Sequence, residues 1–354
     1  MRIVEVAGDQ FEVGRQHGEA VRDLRHLLQP VMCRPLTAAA SEVRERSFRR
    51  LARLQAVLAE HSPATVAQLN GIASGLEVPA TDLLGWVASV YVYTKDEDGG
   101  CSAWAASGVA ASDGKPLLVK NRDQPGESLA LQFVIRVRPT EGLSWAAVTT
   151  AGAPGVHSSG MNAAGLAIAD TAVPSRDVGP GLPRLSLMQH VLEAHETVDS
   201  ALAYLAAAPM MGAGNLVLAD AVGTIAVVEC GFTARGISRR DGGVLTSTNH
   251  FDSAALVGAY APSVGSNAEI SSRGRYKRVA EALDARSAAV DSRFARDLMA
   301  DHGSPVASVC QHSRSDAPSK TISCVIFRPA DGVMEICDGH PCSAEFVTIP
   351  VVAP

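Results

Sequence analysis

Aromatic residues make up only 5% of this 354-residue chain, which disfavours a stacked aromatic cage as a ligand site. Basic residues are outnumbered, 31 Lys and Arg against 37 Asp and Glu, for a formal net charge of -6. No clustered Lys/Arg stripe with interleaved aromatics occurs, so nucleic acid is not an expected partner. Long hydrophobic runs are missing as well. A prominent apolar stretch, LLGWVASVYVY (83–93), is too short to cross a bilayer, and no membrane partner is expected. The opening MRIVEVAGDQFEVGRQHGEAV has no basic start followed by an apolar run, and the closing VVAP is neither a retention nor a peroxisomal tail. The expected location is therefore cytoplasmic. Seven cysteines, an odd number in a long chain, point to free thiols rather than a disulfide framework. GPGLPRL (179–185) lacks the third glycine of a dinucleotide fingerprint, and no cofactor is expected. Repeats, low-complexity tracts and domain-separating linkers are also lacking, which implies one structural unit.

What is present divides near residue 100. Residues 1 to about 95 read as mostly helical: FEVGRQHGEAVRDLRHLLQPVM and SFRRLARLQAVLAEHSPATVAQLNGIASGL carry apolar residues at three- and four-residue spacings. Thr81 is the expected N-cap of the next helix. After Cys101 come short strand-like runs punctuated by Gly, Pro and Asn, interrupted by two helical stretches, RLSLMQHVLEAHETVDSALAYLAAA and RGRYKRVAEALDARS onward. Asp113-Gly114 is a strong hairpin signal. Many short strands with grouped helices predict an α+β fold, two sheets sandwiched between helices.

Cys101 opens the first of those strands, directly after Gly99-Gly100. With Asp113-Gly114 as a two-residue turn, paired numbers sum to about 227. Asp123 then lies near Trp104, and the NRD segment (Asn121, Arg122, Asp123) returns to the strand end that carries Cys101. A nearby cation favours the thiolate, the attacking form. The glycine before Cys101 removes bulk from the carbonyl side of the Gly100–Cys101 bond. A thiol beside its own preceding carbonyl can attack it, giving a thioester that water resolves. The product is an N-terminal cysteine whose α-amino group, with a reference pKa of ~7.7–8.0, is a base within reach of its own thiol. The alternative at this point is a buried thiol that merely opens a core strand.

DGGCSAW followed by KNRDQ, TSTNHF, SSRGRYKRV, VCQH and GHPC, in that order, resembles the acyl-CoA:isopenicillin N acyltransferase family. That family is the peptidase C45-like branch of the N-terminal nucleophile (Ntn) hydrolases. FEVGRQHG and LNGIASGL are similar to its N-terminal helical region, so the resemblance spans nearly the whole chain. It implies a four-layer αββα fold made as a precursor. Autocleavage between Gly100 and Cys101 would give a helical α chain, residues 1–100, and a core β chain, residues 101–354. It also implies Cys101 as nucleophile, Asp123 as the acid after the first hairpin, Asn249 as the oxyanion-hole asparagine, and Arg275 with Ser272 from the SxxR segment. Relatives often carry an aromatic where Arg122 stands, so Arg122 is assigned either to thiolate support or to a substrate carboxylate. The implied partners are a small-molecule amide or acyl substrate and the two chains of one precursor, with homo-oligomer formation left open. The implied reaction is amide hydrolysis through an S-acyl-enzyme. Acyl transfer to an amine and a non-catalytic binding protein on the same fold are the alternatives.

Other candidates fare less well. His250, next to Asn249, is expected to orient the asparagine loop rather than form a Cys–His dyad. His157, in PGVHSSGMN, lines a pocket or sits in a plain loop. HSSG does not satisfy G-x-S-x-G, so a serine-hydrolase elbow is not supported. Cys310, His312, Cys337, His340 and Cys342 are soft ligands, but their spacings do not match zinc knuckles. Buried structural thiols and no metal are expected there.

Overall fold

A computed structural model describes the chain apart from residues 29–31, 33–40, 93–99, 287–288, 314–318 and 353–354; Cys33 and Gly99 therefore lie outside the described residues. The chain opens with strand β1 (Ile3–Gly8), where the sequence pattern predicts mostly helix. Helices α1 (Gln10–Ala20), α2 (Ser41–His61), α3 (Pro63–Leu76), α4 (Ala80–Val87) and α5 (Ser89–Val92) follow. Thr81 falls inside the first turn of α4, whose N-cap is Pro79 with no side-chain cap. α1 and α3 approach so closely that a Cβ on Gly14 would lie 2.2 Å from the Gln68 carbonyl oxygen, and one on Gly71 2.1 Å from that of Phe11. This contact is what the glycines of FEVGRQHG and LNGIASGL permit.

Strands β2 (Gly100–Ala106), β3 (Leu117–Pro125), β4 (Gln132–Pro139), β5 (Trp145–Thr150), β6 (Ser159–Asn162) and β7 (Ala167–Ala172) come next. Helices α6 (Arg184–Ala194) and α7 (Val198–Ala207) interrupt them. Strands β8 (Gly214–Ala219), β9 (Ile225–Cys230), β10 (Arg235–Arg240) and β11 (Val244–Ser247) then lead to helices α8 (Ala268–Asp284) and α9 (Ser292–Met299). Strands β12 (Ser319–Arg328), β13 (Val333–Asp338) and β14 (Phe346–Pro350) close the fold.

The strands form two sheets. One has the order β1-β4-β5-β6-β7-β8-β9-β10, and the other β11-β2-β3-β12-β13-β14. All these pairs are antiparallel except β1 with β4, so the expectation of hairpin pairing holds, with one parallel exception at an edge. Strand alternation sorts the side chains into three cores. Phe133, Ile135 and Val137 pack with Leu54, Ile72, Leu187 and Leu205 on the helical side of the larger sheet. Val134, Ala146, Val148 and Met161 face Ala103, Ala105, Leu118 and Phe327 between the sheets. Trp104, Val119 and Ile326 meet Val279, Leu283, Leu298 and Met299 outside the smaller sheet. Three stacked cores mean four layers, helix–sheet–sheet–helix, which is the αββα arrangement that the resemblance implied.

The N-terminal segment is built into this stack. His17 of α1 is buried, edge-on to Phe133, and its Nε2 accepts the Gly152 N–H at 3.2 Å. Burial lowers its pKa to about 4. Above pH 6.5 the ring is neutral in both folded and unfolded chains. As pH falls from 6.5 toward 4 only the unfolded chain gains the proton, so native stability drops, by up to about 3 kcal/mol. His17→Gln keeps an acceptor but no titration. The difference in melting temperature between pH 7.5 and pH 4.5 is expected to be smaller in the variant than in the wild type, as differential scanning calorimetry can show; an unchanged difference would contradict this origin.

Candidate active site

The first hairpin sets the site. Its observed register pairs Gly100 with Asp123 and Cys101 with Arg122, so Asp123 sits opposite Gly100 rather than near Trp104. The connection is a longer loop with a 3-10 turn at Gly108–Ala110, not a two-residue hairpin; Gly114 still takes a left-handed φ of 75° within it. The NRD segment nevertheless returns to the Cys101 end of the sheet, as expected, and closer than the hairpin arithmetic places it. Alternation then divides the residues between two faces. Cys101, Lys120 and Arg122 point between the sheets with Ala103 and Ala105, whereas Ser102, Asn121 and Asp123 point toward α8 and α9.

The Gly100–Cys101 junction is gripped from the helical side. The Cys101 N–H donates to Asn249 Oδ1 at 2.9 Å, and Arg275 Nη1 donates to the Cys101 carbonyl at 2.5 Å and to Ser102 Oγ at 2.9 Å. Arg275 Nη2 reaches the same Asn249 oxygen at 2.7 Å. Those two donors fix the amide's orientation and leave its Nδ2 to donate to the Ala172 carbonyl at 2.7 Å, with one N–H to spare. A Cβ on Gly100 would lie 3.0 Å from Asp123 Oδ2, 3.2 Å from Arg275 Nη2 and 3.2 Å from Gln311 Nε2. Close approach of three polar side chains is therefore the structural reason for glycine at this position.

Asp123 is fully buried. Its Oδ1 accepts from Thr321 Oγ1 at 2.6 Å, while Oδ2 has no hydrogen-bond partner. Burial raises its pKa to about 6 despite the opposing charge of Arg275. The Cys101 thiol is also pushed up, chiefly by burial, with Lys120 pulling the other way. A cation favouring the thiolate is the expectation from sequence; here desolvation wins, because Lys120 Nζ is already bound to Asp170 at 2.6 Å. Arg122, the register partner of Cys101, donates from its guanidinium to Thr150 Oγ1 at 2.6 Å and to Gln132 at 3.3 Å, and stands 3.4 Å from His157 Nδ1. Burial, then Arg122, lowers the His157 pKa to about 3, leaving a neutral ring.

The remaining expected residues support these. Ser272 Oγ accepts the Asn249 N–H at 2.8 Å and lies 2.7 Å from His250 Nδ1, so His250 braces the asparagine turn and forms no dyad with Cys101. Asn121 donates to the carbonyls of Met299 and Val309, on the face opposite the thiol, and ties β3 to the end of α9. Several participants carried no recognisable signal in the sequence. Buried Lys120 and the half-buried Asp170 and Arg184 form an ion-pair chain; Asn215 Nδ2 donates to the carbonyls of Thr248 and His250. Thr321 and Gln311 meet the junction only through tertiary folding, since they lie far from it in sequence.

A surface pocket is lined by Val87, Val90, Val156, His157, Arg184 and Leu185, with Asp170 in its wall. N-terminal helices and the 154–185 region thus frame it together. Gln68 of α3 holds that region by accepting the Gly155 N–H at 2.6 Å. No helix among the described residues is long and apolar enough to cross a membrane.

Comparison with known proteins adds a family to this geometry. Among solved structures, a mutant of the conjugated bile acid hydrolase from Clostridium perfringens is similar at 15% identity and a TM-score of 0.49, over 71% of this chain and 97% of that one. Penicillin V acylase from Agrobacterium tumefaciens is similar at 14% identity and a TM-score of 0.43, over 71% of this chain and 86% of that one. No curated protein matches the chain significantly. Residues 109–342 match the sequence model of the acyl-coenzyme A:6-aminopenicillanic acid acyl-transferase family. The match begins after Cys101, so the place of that cysteine stands on the geometry above. With well over half of its length matched, the chain belongs to the acyl-coenzyme A:6-aminopenicillanic acid acyl-transferase family.

Proposed function

We propose that this protein is an N-terminal-cysteine amidohydrolase, matured by its own cleavage between Gly100 and Cys101, that acts on a small N-acyl amide. The observation that carries the reading is the grip on the junction: Asn249 on the Cys101 nitrogen, Arg275 on its carbonyl, and a glycine where three polar groups crowd the preceding residue. In maturation, Cys101 Sγ attacks the Gly100 carbonyl carbon, and the peptide nitrogen leaves as the Cys101 amine. Water then hydrolyses the thioester, giving the Gly100 carboxylate and the free thiol. The unpartnered Asp123 Oδ2 beside Gly100 is placed to exchange a proton in this step.

In turnover the same thiol attacks the substrate acyl carbon. Because burial disfavours a standing thiolate, the proton leaves as the bond forms, to the new α-amine that Asn249 Oδ1 holds, and passes on to the departing amine. The free Asn249 N–H is assigned to the oxyanion. The substrate's acyl group is assigned to the pocket beside His157 and Val90. The family's description favours a second reading on the same site, transfer of the acyl group from acyl-CoA to an amine such as 6-aminopenicillanic acid.

The test is intact-mass spectrometry of the β chain after mixing with a panel of N-acyl amides and, separately, acyl-CoAs. An acyl mass increment that appears on the wild type, is absent from Cys101→Ala and decays with release of acid is the expected result. Decay that requires an added amine would instead select acyl transfer. No increment and no turnover with any donor would favour a binding protein that retains the fold.

A further inference from the structure

Outside the candidate active site, one further cluster of soft ligands is assembled by the fold. His302 follows α9, Cys310 and His312 flank Gln311 in the segment before β12, and Cys342 lies in the turn after β13. One donor atom from each falls within 4.8 Å of every other, and among the described residues no second such group of His, Cys, Asp or Glu exists. His302 Nε2 is 3.0 Å from His312 Nε2, which in turn is 3.5 Å from Cys342 Sγ and 3.9 Å from Cys310 Sγ. A tetrahedral zinc with Zn–S ≈ 2.3 Å and Zn–N ≈ 2.0–2.1 Å sets its ligands ~3.3–3.8 Å apart. The observed separations bracket that range, and the two sulfurs and two imidazoles are the donor set that selects zinc over hard cations.

We propose that His302, Cys310, His312 and Cys342 form a structural zinc site. Four protein ligands close the coordination sphere, so the ion would hold structure and offer no open position for a substrate. His302, His312 and Cys342 are exposed, which gives an entry path. His340 stacks on His312 with ring centroids 4.0 Å apart and fixes its plane. Spacing in the sequence hid the site: Cys337 stood among the soft donors there, but its thiol is buried in β13 and donates to the Gly339 carbonyl, while His302 supplies the fourth donor. The ion would clamp the 302–312 segment to the turn after β13. Two of its ligands flank Gln311, which exchanges hydrogen bonds with Thr321, the partner of Asp123. The site is thus linked mechanically to the Gly100–Cys101 junction.

The test uses the full-length protein, stripped with a chelator, dialysed under reductant and titrated with ZnCl₂, with bound metal counted by elemental analysis. CoCl₂ serves as a spectroscopic substitute. One zinc per chain is expected in the wild type and in Cys101→Ala, with tetrahedral Co²⁺ d–d bands and thiolate charge transfer. Cys342→Ser and His312→Ala should weaken binding at least ~100-fold, with loss of the charge-transfer band scaling with the thiolate removed, and His340→Ala by ~10-fold. Thermal melts of the metal-free variants confirm that these surface changes leave the fold intact. Zinc retained equally by Cys342→Ser and His312→Ala would overturn the proposal. So would wild type that binds none, or a Cys310–Cys342 disulfide found by thiol counting in protein isolated without reductant.

Discussion

Asn249→Ala is expected to lower kcat by ~10²–10³-fold, the cost of losing one oxyanion donor, with little change in KM. The side chain serves two ends of one reaction. Its Oδ1 accepts from the Cys101 nitrogen at 2.9 Å and from Arg275 at 2.7 Å, while its Nδ2 keeps one N–H after donating to Ala172. Alanine removes the oxyanion donor and lets the α-amine drift from the thiol it must deprotonate. It also leaves a buried guanidinium hydrogen short of an acceptor, costing ~1–3 kcal/mol of stability. Steady-state kinetics on the purified, matured protein, with a melting curve as control, measure both. Asn249→Asp is expected to fare no better, because a carboxylate would repel the oxyanion and the Ala172 carbonyl alike. A fall of less than about threefold in kcat for Asn249→Ala would remove the residue from the catalytic group.

Arg275→Leu is expected to be the most destabilising single change near the site. The guanidinium is fully buried and donates to the Cys101 carbonyl, Ser102, Asn249 and Ser271. It also opposes the rise in the Asp123 pKa. Leucine leaves those acceptors without their donor and Asp123 without its countercharge, a loss of ~3–5 kcal/mol by analogy with broken buried ion pairs. In a protein of this size that corresponds to a fall in Tm of roughly 4–7 °C. The Asp123 carboxyl should then stay protonated to still higher pH, and cleavage at Gly100 should slow. Arg275→Lys keeps a charge but not the forked donor geometry, and is expected to lie between the two. A Tm within about 2 °C of wild type for Arg275→Leu would show that the junction does not depend on this residue.

The resemblance could name most of these residues because the motifs that carry it are local. Cys101 follows glycine, Asn249 and His250 adjoin in a turn, and Ser272 and Arg275 sit one helical turn apart on α8, where that spacing puts both on one face. Two sheets sandwiched between helices followed from the order of helices and short strands, and the resemblance implied the four-layer stack. What the sequence hid is what tertiary contact decides. β1 (IVEVAG) pairs in parallel with β4, about 130 residues away, and nothing in six residues announces such a partner. The β2–β3 register slipped by four because Asp113-Gly114 turns within a longer loop rather than closing a hairpin. Nor does sequence show that Asp170 holds Lys120, or that burial of Cys101 pushes its thiol up against that lysine's pull. The Lys120–Asp170–Arg184 chain joins β3, β7 and α6, a coincidence in space with no sequence pattern. His302 joined Cys310, His312 and Cys342 for the same reason.

The N-terminal segment has a structural consequence for maturation. β1 is hydrogen-bonded to β4, and α1 buries Val13 and His17 against the larger sheet, so residues 1–100 should stay attached after the bond is cut. Cleavage would then go unseen under native conditions. Intact-mass spectrometry of denatured, freshly purified protein tests the central claim most directly. Two fragments divided between Gly100 and Cys101 in the wild type, with one full-length chain in Cys101→Ala, are the predicted result. A single full-length chain in both, persisting on long incubation, would contradict the account, because the nucleophile would never be unmasked.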